Sequence, residues 1–233
     1  MNTVLDILDV SVGYSRHSPL FEHINAQLVS GTVTGLLGPN GIGKSSLLRT
    51  IAGLLPPLKG SIKSGMGGEK GHSCAFVPSQ PLRAAHYSVR DTVSTGRYRY
   101  TNWLGIEDRE GKQIVENALE RTGIKHLADR NSASLSDGEF HRVAIARALV
   151  QDTSLILLDE PTAFLDIANK RAIGLLLRRL ALEENKGILF STHDLSLAME
   201  HCDFFWIMTP EQELHQGTPS LMEEKGIINR LYY

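Results

Sequence analysis

At 233 residues the chain is long enough for one large domain, or one domain with an inserted subdomain, and an apolar fraction of 42% suffices for a full core. A net charge of −2 argues against a nucleic-acid protein driven by bulk electrostatics. Two distant cysteines, Cys74 and Cys202, lack metal-site spacing and predict small buried residues in a reducing compartment. No basic-then-apolar leader opens the chain and no apolar run approaches the roughly 18 residues that span a bilayer, so a cytoplasmic location with peripheral membrane contact is expected.

Residues 4–14 read as a strand, with Leu8, Val10 and Val12 on one parity and Gly13-Tyr14 at its end. Residues 19–28 alternate as a second strand, with Leu20, Ile24, Ala26 and Leu28 on one face. The pair predicts an antiparallel β layer. Residues 32–37 form a short strand that runs into Gly38-Pro39-Asn40-Gly41-Ile42-Gly43-Lys44-Ser45-Ser46, followed by a helix-like stretch. This is the spacing G-x-x-x-x-G-K-[ST], in the strand–loop–helix setting where it signals phosphate binding. A triphosphate crowds negative charge into a small volume. Backbone N–H groups approach that closely only where side chains are absent, and the helix N-terminus adds its positive dipole end. Lys44 can bring a cation to the β- and γ-phosphates, and the Ser45 hydroxyl can ligate Mg²⁺.

The stretch from Gly53 through Pro56-Pro57 to Gly60 predicts two chain breaks, residues 61–63 a short strand, and residues 65–71 a glycine-rich turn. Residues 73–77 read as a buried strand entering Pro78-Ser79-Gln80-Pro81. From about Arg83 the composition shifts towards helix. Ser88 and Asp91 have capping-box spacing, residues 107–123 carry Ile114, Val115, Ala118 and Leu119 on one face, and Ser136 to Glu139 form a second capping box that opens a helix through Leu149. Residues 83–150 thus predict an inserted helical subdomain, leaving 1–82 and 151–233 as a nucleotide-binding core with its β layer.

After Ser154, residues 155–158 are apolar throughout, as a central parallel strand should be. The run ends at Asp159-Glu160, on the edge where open α/β sheets bind ligands. Asp159 suits Mg²⁺, and Glu160 suits a general base or water-positioning group. Asp166 can cap a helix bearing Ile173, Leu176, Leu177 and Leu180. A buried strand over 187–191, a helix over 194–202, a strand over 204–208, an edge hairpin over 213–216 and a helix started by Thr218-Pro219 complete the chain. The predicted class is an α/β P-loop NTPase with a mostly parallel central sheet.

These motifs together resemble the nucleotide-binding subunit of an ABC transporter, in family order over essentially the whole chain. Residues 38–45 match Walker A, and residues 155–159 match Walker B. Glu160 occupies the catalytic glutamate position. Gln80 matches the Q-loop glutamine and joins Ser45 and Asp159 as a candidate Mg²⁺ ligand. Leu135, Ser136, Asp137, Gly138 and Glu139 stand at the signature motif, and Leu165-Asp166 at the end of the D-loop. His193, within Ser191-Thr192-His193-Asp194, matches the switch histidine that contacts the γ-phosphate. Tyr14 matches the aromatic that stacks on adenine; by itself it also reads as a plain strand-end tyrosine. The resemblance implies ATP and Mg²⁺, ATP hydrolysis, and a head-to-tail homodimer in which each ATP lies between one chain's Walker A and the other's signature.

The signature departs from the usual Leu-Ser-Gly-Gly-Gln by Asp137 and Glu139. The Ser136 hydroxyl and the Gly138 backbone, expected to hold the γ-phosphate, survive. The two carboxylates bring negative charge towards a triphosphate and are expected to tune affinity. Residues 89–98 look like a segment of the ATPases of ferric-siderophore, haem and cobalamin importers. That likeness implies a permease-facing surface at Gln80 and residues 83–105, and indirectly a substrate-binding protein, at the cytoplasmic face of the membrane. Read from its residues alone, the run from Arg97 to Gly105 is also compatible with a nucleic-acid patch or a solvated loop. The competing class is a soluble non-transport ABC ATPase serving cluster assembly, translation or DNA.

Overall fold

Strands that are apolar along their whole length set the centre of the molecule. A computed structural model describes residues 2–64, 74–100 and 109–231. Among these, β3 (Val33–Leu37), β6 (Leu155–Leu158) and β7 (Gly187–Ser191) are buried at every position. Burial on both faces is what helices and a second sheet packed over a parallel sheet impose. With β5 (Cys74–Val77), β8 (Phe204–Met208) and β9 (Leu214–Gly217) they form a six-stranded sheet in the order β5-β6-β7-β3-β8-β9. All neighbours are parallel except the β8–β9 pair, which closes one edge as the expected hairpin.

The N-terminal β layer is a three-stranded antiparallel sheet, with β1 (Thr3–Val12) between β2 (Phe21–Val29) and β4 (Lys59–Ser64). Its buried face corrects the parity expected from sequence. Leu8 is exposed, whereas Leu5, Ile7, Val10 and Val12 are buried. A bulge between Ile7 and Val10 puts Asp9 at φ +49°, which flips the faces on either side of it. The Asp9 carboxylate is held 2.7 Å from His23 Nδ1 and 3.1 Å from Lys59 Nζ. On β2 the same happens at His23 (φ +55°), so Phe21 and not Leu20 joins Ile24, Ala26 and Leu28 inside. The strand expected at 61–63 begins earlier, at Lys59, and takes in Gly60. Gly60 lies against the bulge, where a Cβ would sit 2.2 Å from the Asp9 carbonyl oxygen.

Helix α1 (Lys44–Ile51) packs between the two sheets, and its Leu47, Leu48 and Ile51 share a core with the β layer. The other face of the central sheet carries α2 (Val89–Ser94), α3 (Arg109–Arg121) and α4 (Asp137–Leu149), together with α5 (Ile167–Glu184) and α6 (Leu195–His201). Ser88 and Ser136 make the predicted capping boxes on α2 and α4; Asp166 caps α5, and Thr218 caps α7 (Pro219–Glu224). Each such cap is worth about 1 kcal/mol. Gly123, at φ +72°, stops α3 as expected. The expected turn at 65–71, residue 73, and the start of the 107–123 helix lie outside the described residues. No described helix is long and apolar enough to cross a membrane.

Helices α5 and α6 approach too closely for a side chain at Gly174, where a Cβ would lie 2.1 Å from the buried His201 ring. Gly174→Ala gains about 1 kcal/mol of helix propensity. We nevertheless expect overpacking to lower stability by about 1–3 kcal/mol net in urea denaturation, and a His201→Ala background to recover most of the loss.

Candidate active site

The candidate residues converge because three neighbouring parallel strands end side by side. The loop 38–43 leaves β3, Asp159-Glu160 leave β6, and β7, between them, delivers Ser191, Thr192 and His193. Within the loop, Gly38 is required by close approach: a Cβ there would fall 2.7 Å from the Met208 carbonyl oxygen. Gly43, at φ +113°, is the N-cap of α1. Lys44 is buried, and its ammonium donates to the Gly38 carbonyl at 2.7 Å and the Pro39 carbonyl at 3.0 Å. Burial holds its pKa below the usual lysine range, while the Glu160 and Asp159 carboxylates act the other way. An ammonium kept among oxygen acceptors in this way suits exchange onto phosphate oxygens.

Asp159 is only 2% exposed. Its Oδ1 accepts from the Ser45 hydroxyl at 2.9 Å and from the Ser191 hydroxyl at 2.7 Å. The Ser191 oxygen in turn accepts from the Glu160 N–H at 2.9 Å. Glu160 has a left-handed backbone, φ +46°, uncommon for a non-glycine residue and a feature found at functional sites. Its carboxylate lies 3.6 Å from His193 Nδ1. Ser45 and Asp159 present a hydroxyl and a carboxylate beside the glycine loop, a hard oxygen set that fits Mg²⁺.

A cleft of about 340 Å³ is lined by Tyr14, Leu20, Asn40, Gly41, Gly43, Lys44, Ser45, Ser46 and Glu160. Tyr14 stands exposed on its wall. On the opposite side of the loop, Gly38, Pro39 and Asn40 border a smaller cleft with Thr192 and His193. Ile42 is half-buried with its side chain near Gly38. The structure therefore brings together Tyr14, residues 38–46, Asp159, Glu160 and His193. It does not bring the other candidates there. Gln80 is exposed beyond the end of β5 and makes no hydrogen bond among the described residues. Leu135, Ser136, Asp137, Gly138 and Glu139 lie at the start of α4 and line neither cleft. Leu165 is buried, and Asp166 is occupied in capping α5 through the Asn169 N–H at 2.8 Å.

The family model for ABC transporters matches residues 21–163. The chain belongs to the ABC transporter family. It is an ATP-binding subunit of that family, and an ATP hydrolase of the transport-coupled type. It is 35% identical over 239 residues to the achromobactin transport ATP-binding protein CbrD of Dickeya dadantii, covering 99% of this chain and 88% of that protein. It is 36% identical over 193 residues to the molybdate import ATP-binding protein MolC of Haemophilus influenzae, covering 83% and 74% respectively. Among solved structures, a metal-chelate type ABC transporter in an inward-facing conformation superposes with a TM-score of 0.87 at 30% identity, covering 99% of this chain and 89% of that one.

Within this ABC subunit, Ser191 is the site residue that sequence reasoning missed. The available signal was a polar residue closing an apolar strand at the ligand edge. Its partners, however, depend on β7 lying between β3 and β6. At the signature, the Ser136 hydroxyl is engaged within its own capping box, 2.8 Å from Glu139 Oε2. Hydrogen bonds from the Ser136 backbone and side chain hold the Glu139 carboxyl below the usual carboxylate range. A Cβ at Gly138 would lie 2.7 Å from Asn169 Oδ1, so a larger residue there would displace that amide. The Arg97 side chain is buried, 3.9 Å from the Tyr100 ring centre and near the Val150 carbonyl. This takes Arg97 out of the solvated run, in which Tyr98, Arg99 and Tyr100 are exposed; residues 101–105 lie outside the described residues.

Ser191→Ala removes the donor to Asp159 and the acceptor for Glu160 N–H together. We expect a stability loss of about 1–3 kcal/mol. We also expect kcat for ATP hydrolysis to fall roughly 10- to 100-fold as Glu160 loses its placement, with nucleotide binding retained in a fluorescence titration.

Proposed function

We propose that two copies of this chain pack head to tail on the permease of an importer and hydrolyse ATP to drive it, with an iron–siderophore, haem or cobalamin type cargo. One observation carries the reading. Tyr14, Lys44, Ser45, Asp159, Glu160 and His193 share one strand-end edge, while the signature residues 135–139 stand outside it. A site built this way is complete only when a second copy presents its signature, which makes closure and hydrolysis one event.

Tyr14 stacks on the adenine. The loop N–H groups of residues 38–46 and the Lys44 ammonium hold the β- and γ-phosphates. Ser45 and Asp159, with Gln80 as a third candidate, hold Mg²⁺, which supplies neutralisation of phosphate charge when bound. Glu160 orients the attacking water and takes its proton, and His193, 3.6 Å away, faces the γ-phosphate beside it. Ser136 and Gly138 contribute from the partner copy, and the 165–166 pair borders that interface. Domain limits of 1–82 with 151–233 for the core, and 83–150 for the helical subdomain, follow from this division of labour. The described part of 83–105, with Gln80, is the permease-facing surface, and the chain then sits peripherally on the cytoplasmic face of the membrane. The metal-chelate and achromobactin relatives support the cargo class; the molybdate relative marks the nearest competing one.

The test is a tagged Glu160→Gln chain recovered from detergent-solubilised native membranes with ATP. Turnover should drop about 10²- to 10⁴-fold, and a polytopic permease should co-purify in stoichiometric amount. Recovery of soluble partners alone, from membranes whose other transporters stay intact, overturns the importer reading. Which cargo stimulates ATP hydrolysis when the wild-type chain is assembled with the permease so identified decides between metal chelate and oxyanion.

A further inference from the structure

The signature's two acidic residues are each engaged inside the chain, Glu139 by hydrogen bonds that hold it as a carboxylate and Asp137 by a cation. Glu139 folds back on the α4 N-terminus, accepting from the Ser136 N–H at 2.9 Å and the Ser136 hydroxyl at 2.8 Å. Asp137 is bound by a residue 54 positions away: Arg83 Nη2 lies 2.5 Å from its Oδ1. The same guanidinium donates through Nη1 to the Leu135 carbonyl at 2.7 Å and sits 4.6 Å over the Phe140 ring centre. Isolated surface ion pairs contribute little because their side chains move freely. Here the guanidinium is fixed at three points, by a carbonyl, a carboxylate and an aromatic face. That is the use for which arginine's rigid fork is suited.

We propose that Arg83 is a positioning residue for ATP engagement: it ties the segment following Gln80 to the signature loop, and it cancels the charge that Asp137 would otherwise turn on the partner copy's triphosphate. The proposal rests on the reading that the signature meets ATP across a dimer. Its first clause is physical and independent of nucleotide. Arg83 leaves the core three residues after Gln80, while Leu135, Asp137 and Phe140 flank Ser136. Displacing the Gln80 segment therefore pulls on the loop carrying Ser136, so permease-side movement reaches the signature through one side chain. The second clause explains why an acidic residue is tolerated at this position. With the pair formed, the loop presents the Ser136–Gly138 backbone with no net charge from Asp137.

Two measurements on the full chain test the two clauses. Without nucleotide, Arg83→Met should speed hydrogen exchange of the amides at 136–140 by about tenfold or more, with amides of α5 unchanged; unchanged exchange at 136–140 overturns the mechanical tie. In steady-state hydrolysis, Arg83→Met should raise KM for ATP about five- to tenfold with a smaller effect on kcat, and the rise should shrink at high salt, as a charge effect does and a packing effect does not. In an Asp137→Gly background the same Arg83→Met change should move KM by less than about twofold. An equal KM rise in both backgrounds, insensitive to salt, overturns the charge role. A wild-type chain that never hydrolyses ATP removes the dimer reading and the charge role with it, while the exchange result still decides the tie.

Discussion

A carboxylate buried as deeply as Asp159 must find hydrogen-bond donors, and much of the site follows from which donors it finds. Taking a charge out of water is costly unless it is paired or bonded. Two hydroxyls meet the need: Ser45, from the first turn of α1, and Ser191, from the end of β7. The first joins Walker B to the phosphate loop. The second uses its remaining lone pair to accept the Glu160 N–H, which helps hold that residue in a left-handed conformation. The buried Asp159 therefore sets the relative positions of the glycine loop and Glu160. The arrangement requires the strand order β6-β7-β3, because only a strand between the other two can reach both.

The β layer serves the same edge from the other side. Tyr14 follows Gly13 just past the end of β1, and Gly13 itself is confined, since a Cβ there would lie 2.9 Å from the Leu20 backbone nitrogen. The bulges at Asp9 and His23 shift the buried face of both strands before they reach this corner. They let Val10 and Val12 pack inward while Tyr14 emerges exposed at the cleft and Leu20 joins its lining. The layer's core, which includes Phe21, Leu47 and Trp206, anchors that corner to α1 and the central sheet.

What was legible in the sequence was local. The loop spacing of 38–45, the apolar runs that become β3, β6 and β7, and the caps at Ser88, Ser136, Asp166 and Thr218 are all decided by residues within a few positions of one another. What was not legible depends on chain segments meeting across long separations. The parity of β1 and β2 failed because a bulge is fixed by pairing, and Asp9 and Gly60 are 51 positions apart. In the sequence Ser191 closes a buried strand beside the switch histidine and shows no role of its own, because that role exists only beside Asp159. Arg97 looked like part of a surface run, yet its guanidinium is covered by Tyr100 and by the end of α4. In each case the residue type was informative and its partner was out of range.

The same distinction explains how an acidic signature can coexist with an otherwise ordinary site. Judged by motif alone, Asp137 and Glu139 place two negative charges where a triphosphate is to bind. Judged by contact, the helix dipole and the capping box account for Glu139, and a cation from the far side of the helical block accounts for Asp137. Neither compensation is visible in the five residues of the motif. The Gly138 contact with Asn169 extends the argument, because Asn169 is itself held by Asp166. The loop is thus bonded from the Gln80 side by Arg83, while Asn169 on the D-loop side leaves no room for a side chain at Gly138 as it stands. A segment bonded to a neighbour and closely packed against another responds when either one moves. On the proposed reading, in which a second copy finishes the site, that makes the signature a point where partner binding and nucleotide binding are sensed together.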